Sequence, residues 1–266
     1  MSKLQRDIRI LLVEDNTTNQ EVALSVLRHL GYRNVELAAD GHQALAALTA
    51  RDFDLVLMDC HLPGMDGYET CRRIRSRDSA VRNHDVPIVA TTAAAMESDR
   101  RKCLSAGMNG YLPKPLRLGA LEQAIEQWTR NGRVADEPPA AAPGAGAVEI
   151  ASFDPKGFTD SVMGSEALAR RVIRGFVSDM PRQIALLAQA VSDGDAPRVV
   201  LLAHSIKGAA ASVNGNEMRE ASRKIEQQGR NGNLTASRDA LHELSTSFER
   251  ARQVMERFCQ EDPFEP

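Results

Sequence analysis

The sequence predicts two fold classes in one chain: a doubly wound, five-stranded parallel α/β sheet over residues 1–130, then an all-α antiparallel bundle over 152–266. Three observations carry this reading. Short β-rich apolar runs alternate with helically spaced segments five times before residue 130. After residue 152 no strand pattern survives. Between them NGRVADEPPAAAPGAGAVEIA (131–151) has no periodic apolar pattern and reads as a flexible linker, with ends roughly 25 Å apart by random-chain statistics. A length of 266 residues is comfortable for two domains.

The five strand segments are IRILLV (Ile8–Val13), NVELAA (Asn34–Ala39), FDLVLMD (Phe53–Asp59), VPIVATT (Val86–Thr92) and GYLPK (Gly110–Lys114). Runs such as ILLV and LVLM are continuously apolar rather than alternating, as expected when helices cover both faces of a parallel sheet. Helical spacing fills Asn19–Leu30, Gly41–Ala50, Gly67–Arg75, Ser98–Ala106 and Arg117–Arg130. Past the linker, helices are predicted over Pro155–Met163, Glu166–Ser192, Ala196–Val213, Glu217–Gln228 and Ala236–Cys259. Pro181 is expected to kink the second of these, and GDAP, NGN and GRNGN supply turns.

Composition excludes several classes of function. Hydrophobic residues make up 42% and charged residues 26%, too apolar for a wholly disordered chain. Charge is balanced in both halves, with 17 basic and 17 acidic residues in 1–130 and 15 against 16 in 153–266, so nucleic acid is not expected as a partner. No apolar run approaches the ~20 residues that span a bilayer, so no direct membrane insertion is expected. The four cysteines, at 60, 71, 103 and 259, form no CxxC pair, which fits a reduced, cytoplasmic setting. No Walker-type loop or glycine-rich lid announces ATP chemistry.

In a doubly wound sheet, ligands bind beyond the carboxyl ends of the strands, where strand order reverses. Those ends carry Glu14-Asp15-Asn16, Asp59, Thr92 and Lys114. Taken singly, each is equally a helix cap or a solvated charge. Together, converging carboxylates call for a cation, hard oxygen ligands suit Mg²⁺, and a hydroxyl with an ammonium suits phosphate. In the helical half, His204 lies in LLAHSIKGAAASVNG. Leu202, Ile206, Ala209 and Val213 make one apolar face; His204 is set about 200° from Leu202 and is expected to be exposed, with Lys207 beside it and Gly208 leaving a bare surface for a close approach. A solvated helix face with an incidental histidine is the other reading of HxxKG alone.

LLVEDNTTNQEVA, DLVLMDCHLPGMDGYE, PIVATTAAA and GMNGYLPKP together resemble a response-regulator receiver domain, across residues 7–130. From Phe153 to about Cys259, FDPKGFTDSVMG, FVSDMP and GDAPRVVLLAHSIKGAAASVNG resemble a histidine phosphotransfer (HPt) domain. The resemblance implies a flavodoxin-like receiver and a four-helix bundle. It implies that Asp59 and His204 are phosphoacceptors, and that Mg²⁺, replaceable by Mn²⁺, is held by Glu14, Asp15, Asp59 and the main-chain carbonyl of His61. Thr92 and Lys114 would bind phosphate, Tyr111 would be the switch aromatic, and Lys207 and Gly208 would support His204. Lys114-Pro115 is a candidate cis peptide. The family pattern is departed from at Leu62 and Ala94, and neither removes a reacting group.

The expected function is phosphorelay signal transduction: a sensor histidine kinase supplies the phosphoryl group to Asp59, His204 exchanges it, and a downstream response-regulator receiver takes it. Two alternatives stand beside it. One is the C-terminal part of a hybrid sensor histidine kinase. The other is a receiver acting as a phosphate sink or as a binding module controlled by phosphorylation.

Overall fold

The computed structural model describes residues 7–92, 97–116, 118–130 and 153–260. The chain divides into two compact units, Met1–Gly144 and Ala145–Pro266. The stretch expected to be a linker, 131–151, lies outside the described residues, as does Ala94.

In the first unit, strands and helices alternate: β1 Ile10–Val13, α1 Thr17–His29, β2 Val35–Ala38, α2 Gly41–Ala50, β3 Leu55–Asp59, α3 Gly67–Arg75, β4 Ile88–Thr92, α4 Glu97–Ser105, β5 Gly110–Pro113 and α5 Leu118–Arg130. The five strands form one sheet in the order β2-β1-β3-β4-β5, every pair parallel. The chain runs outward from β1 to β2 and then returns across β1 to β3, so strand order reverses between β1 and β3. Every residue of β1, β3 and β4 is buried, which is why ILLV and LVLM are continuously apolar and why Asp59, Thr91 and Thr92 are buried polar residues at the strand ends. The strands are shorter than their apolar runs because pairing stops where the chain turns away at each end.

Local chemistry sets the entry to each helix. Asn16, Asp40 and Asp66 are N-caps whose side chains accept from the backbone N–H three residues on, so capping is indeed the role of Asn16. Gly67 opens α3 against the end of β3, where a Cβ would stand 2.1 Å from the Asp59 carbonyl oxygen. Only glycine lets α3 start so close to Asp59. The Lys114–Pro115 peptide is cis, as the sequence suggested.

The second unit holds α6 Pro155–Ser161, α7 Glu166–Asp193, α8 Ala196–Ser212, α9 Asn216–Arg230 and α10 Leu234–Gln260. The four long helices pack in sequence, α7 on α8, α8 on α9, α9 on α10, and α10 closes on α7. Short connections make neighbours antiparallel, giving a four-helix bundle with α6 laid against α7. Phe158, Ile173, Phe176, Leu187, Ile206, Ile225, Leu244 and Met255 are fully buried and fill its core. α7 is helical through Pro181 and ends at Gly194, which takes the left-handed conformation (φ 75°). Asp195 and Pro197 then start α8.

Candidate functional site

At the carboxyl ends of β1 and β3, Glu14, Asp15 and Asp59 each offer a carboxylate oxygen, and these oxygens lie within 4.8 Å of one another. Glu14 and Asp59 are buried. The Lys114 ammonium, arriving just past β5, donates to Glu14 Oε2 at 2.5 Å and to Asp59 Oδ2 at 2.6 Å. The second Asp59 oxygen, Oδ1, accepts the His61 backbone N–H at 3.0 Å. Burial, together with the charges of Glu14 and Asp59, pushes the Asp15 carboxyl up to about 7. Burial also raises Glu14, against the pull of Lys114. Burial opposes the charge on Lys114, but Asp59 and Glu14 outweigh it and lift its pKa above the ordinary lysine value. Three carboxylates share one ammonium, and three hard oxygens so close together fit a small divalent cation.

Thr92 is buried at the end of β4, beside this cluster in the sheet: Asp59 pairs with Thr91, and the Thr92 carbonyl accepts the Lys114 N–H at 2.7 Å. Tyr111 is half-buried on β5 and packs, with Tyr68, on the apolar core beneath. His61 sits on the loop that leaves β3. Thus Glu14, Asp15, Asp59, Thr92 and Lys114 converge on the carboxyl edge of the sheet, whereas Tyr111 pairs with Ala90 midway along β4.

The histidine site of the second unit differs from its expectation. His204 is buried, with 4% of its surface exposed, and Gly208 is buried too. The reason is packing. α8 touches both α7 and α9, so its covered arc is wider than the single apolar stripe used to orient it, and α9 brings a polar side chain to the His204 face. That side chain is Glu226, buried, whose Oε1 lies 3.0 Å from His204 Nδ1. Lys207 Nζ donates to Glu226 Oε2 at 2.5 Å and stands 3.4 Å from His204 Nδ1; Arg230 donates to Glu226 Oε1 at 2.7 Å. Burial works against the Glu226 charge, but hydrogen bonds and charge from His204 and Lys207 hold its carboxyl well below the usual carboxylate range. Sequence reading missed Glu226. Its one signal was an acid on the otherwise apolar face of α9, among Met218, Ala221, Ser222, Ile225 and Gly229.

Comparison with known proteins gives these two sites a context. A family model for the response regulator receiver domain matches residues 10–126, and one for the Hpt domain matches residues 171–254. The chain belongs to the two-component phosphorelay proteins. Its receiver and Hpt domain together match the sensor histidine kinase AruS of Pseudomonas aeruginosa, 35% identical over 77% of this chain and 19% of that protein. They also match the virulence sensor protein BvgS of Bordetella bronchiseptica, 30% identical over 85% of this chain and 19% of that one. The chain therefore spans about a fifth of the length of these relatives. The receiver is also similar to a solved receiver domain of sensor histidine kinase PA1611 from Pseudomonas aeruginosa, described with a magnesium ion in its active-site cleft. That match is 46% identical and covers 47% of this chain and 98% of that one, with a TM-score of 0.42. Among the described residues, no helix is long and apolar enough to cross a membrane.

Proposed function

We propose that Asp59 and His204 are the two phosphoryl-carrying residues of this phosphorelay protein. The observation that supports the reading best is the buried Lys114 ammonium bridging Glu14 and Asp59 beside Asp15, because phosphoryl transfer to a carboxylate demands concentrated positive charge next to the acceptor. Glu14, Asp15, Asp59 and the main-chain carbonyl of His61 would hold Mg²⁺, with Mn²⁺ able to substitute. When bound, the ion would supply charge neutralisation for the phosphoryl oxygens. Asp59 Oδ2, released by Lys114, attacks the phosphorus of a sensor kinase phosphohistidine; the Asp59 O–P bond forms as the donor N–P bond breaks. Lys114 turns from the carboxylates to a phosphoryl oxygen, and Thr92 donates its hydroxyl to another. Tyr111 then follows Thr92 inward, a shift between two populations of one fold.

In the Hpt domain, an anionic Glu226 accepts the proton of His204 Nδ1 and so fixes the tautomer in which Nε2 carries the lone pair. Nε2 takes the phosphoryl group from an aspartyl phosphate, the O–P bond breaking as the N–P bond forms. Lys207 keeps Glu226 anionic and faces the same ring, and Gly208 keeps the helix surface low one turn below it. A downstream response-regulator receiver is the next acceptor. This chemistry belongs in the cytoplasm, where kinase and receivers meet.

The test is phosphotransfer in the presence of Mg²⁺ from a phosphorylated kinase or a small phosphodonor, comparing wild type, Asp59→Asn and His204→Gln. Label is expected on both residues in wild type, on neither from the small donor in Asp59→Asn, and on Asp59 alone in His204→Gln. Transfer through His204 is refuted if label never reaches it, even when a phosphorylated partner receiver drives the reaction backwards.

A further inference from the structure

We infer that Asn19 is a positioning residue that sets the receiver's affinity for its divalent cation by fixing the orientation of the Glu14 carboxylate; this rests on the cation reading of the site above. The two oxygens of Glu14 have separate duties. Oε2 faces the cluster, where Lys114 reaches it at 2.5 Å. Oε1 faces α1, where it accepts the Asn19 side-chain N–H at 2.9 Å and the Asn16 backbone N–H at 3.3 Å. Asn19 is itself held, since its backbone N–H is capped by Asn16 Oδ1 at 3.2 Å and only 7% of its surface is exposed. One residue further, Gln20 Nε2 donates to the Glu14 carbonyl at 2.6 Å. The first turn of α1 therefore clamps both the backbone and the side chain of Glu14.

The choice of asparagine follows from charge. A neutral amide donor orients a carboxylate without neutralising it, so Glu14 keeps its full charge for a cation. An arginine or lysine at position 19 would hold the same oxygen and cancel that charge. Without the amide, Oε1 retains from this set one long backbone contact, and the carboxylate is free to turn toward Lys114, the ammonium that an incoming cation must displace.

Isothermal titration of MgCl₂ into the EDTA-treated full chain tests this, with wild type, Asn19→Leu, Asn19→Ser, Glu14→Gln and the Glu14→Gln/Asn19→Leu double variant. Asn19→Leu is expected to weaken Mg²⁺ binding by about tenfold, the loss of one charge-assisted hydrogen bond. Thermal unfolding in EDTA should stay within a few degrees of wild type. In the Glu14→Gln background the same substitution should change affinity less than twofold, because its effect passes through Glu14. If Asn19→Leu does not fold, Asn19→Ser carries the same expectation with less disturbance. Wild-type affinity in the folded Asn19 variants, or an equal loss with and without Glu14, overturns the inference while the cation site stands. No Mg²⁺ binding by wild type sinks the cation reading, and this inference with it.

Discussion

The two sites hold the proposed phosphoryl acceptors, Asp59 and His204, among charges of opposite balance. Beside Asp59, three carboxylates meet one ammonium, and two of the three are buried. Beside His204, one carboxylate meets two cations: Glu226 is paired with Lys207 at 2.5 Å and Arg230 at 2.7 Å. The first cluster is short of positive charge and calls for a metal. The second is already compensated by the protein and does not. Coulomb interactions at such distances are worth several kcal/mol away from bulk water, so on the proposed cation reading the receiver half is the one that needs a metal. It also gives the lysines different work: Lys114 bridges two acids, whereas Lys207 pairs with one acid that also meets the imidazole.

The largest expected effect breaks that comparison directly. Removing divalent metal with EDTA should abolish phosphorylation of Asp59 by a small phosphodonor. The lifetime of phosphohistidine at His204, prepared chemically on the Asp59→Asn full chain, should not change; a shortened lifetime in EDTA would mean that the helical site also leans on a metal. Next in size is stability. Lys114→Met leaves two buried carboxylates without their ammonium and should cost the receiver about 3 kcal/mol in EDTA. Lys207→Met leaves Glu226 still paired with Arg230, and roughly a third of that loss is expected in the Hpt domain. Urea unfolding separates the two. The single tryptophan, Trp128, packs on Gly110 and reports the receiver, while far-UV circular dichroism follows the helical unit as well. Equal losses would argue that the two lysines do the same job.

The receiver was legible in sequence because its chemistry sits at predictable ends. β1 and β3 carry continuous apolar runs, ILLV and LVLM, so the polar residue that stops each marks the sheet edge, and Glu14 and Asp59 were found this way, with Lys114 just past the end of β5. Topology then brings together residues 100 apart, such as Glu14 and Lys114. The helical site was legible only in part. The period of one helix tells which way His204 points relative to its own apolar stripe, but not what a neighbouring helix brings to the other side, and Glu226 lies 22 residues away on α9. The same blindness applies to Cys60 and Cys103, whose sulfurs meet at 3.8 Å in the core although no spacing pairs them. Asn19 was missed for a second reason: in sequence it is simply an early residue of a helix, and its proposed value comes from a side chain five positions earlier turning back to it.

Smaller effects sharpen the account of Glu226. Glu226→Gln keeps an acceptor for the His204 Nδ1 proton but loses the charge that Lys207 and Arg230 neutralise, so transfer between an aspartyl phosphate and His204 should slow by about threefold. Glu226→Ala removes the acceptor and should slow it by about tenfold, with ¹⁵N imidazole shifts showing a mixture of tautomers in place of one. Equal rates for all three proteins would make Glu226 a structural acid only. The smallest effect is on stability against pH. Against the effect of burial, His204 and Lys207 depress the folded-state pKa of Glu226 below its unfolded value of about 4.3. A depressed carboxyl contributes stability that is full above the unfolded pKa and is lost as pH falls through the folded one, because the unfolded chain binds the proton first. His204, Lys207 and Arg230 are the groups that face it. Between pH 5 and pH 3 the urea midpoint of the helical unit should therefore fall further in wild type than in Glu226→Gln. A parallel decline in both proteins would place the acid sensitivity of the Hpt domain elsewhere and leave Glu226 with its tautomer role alone.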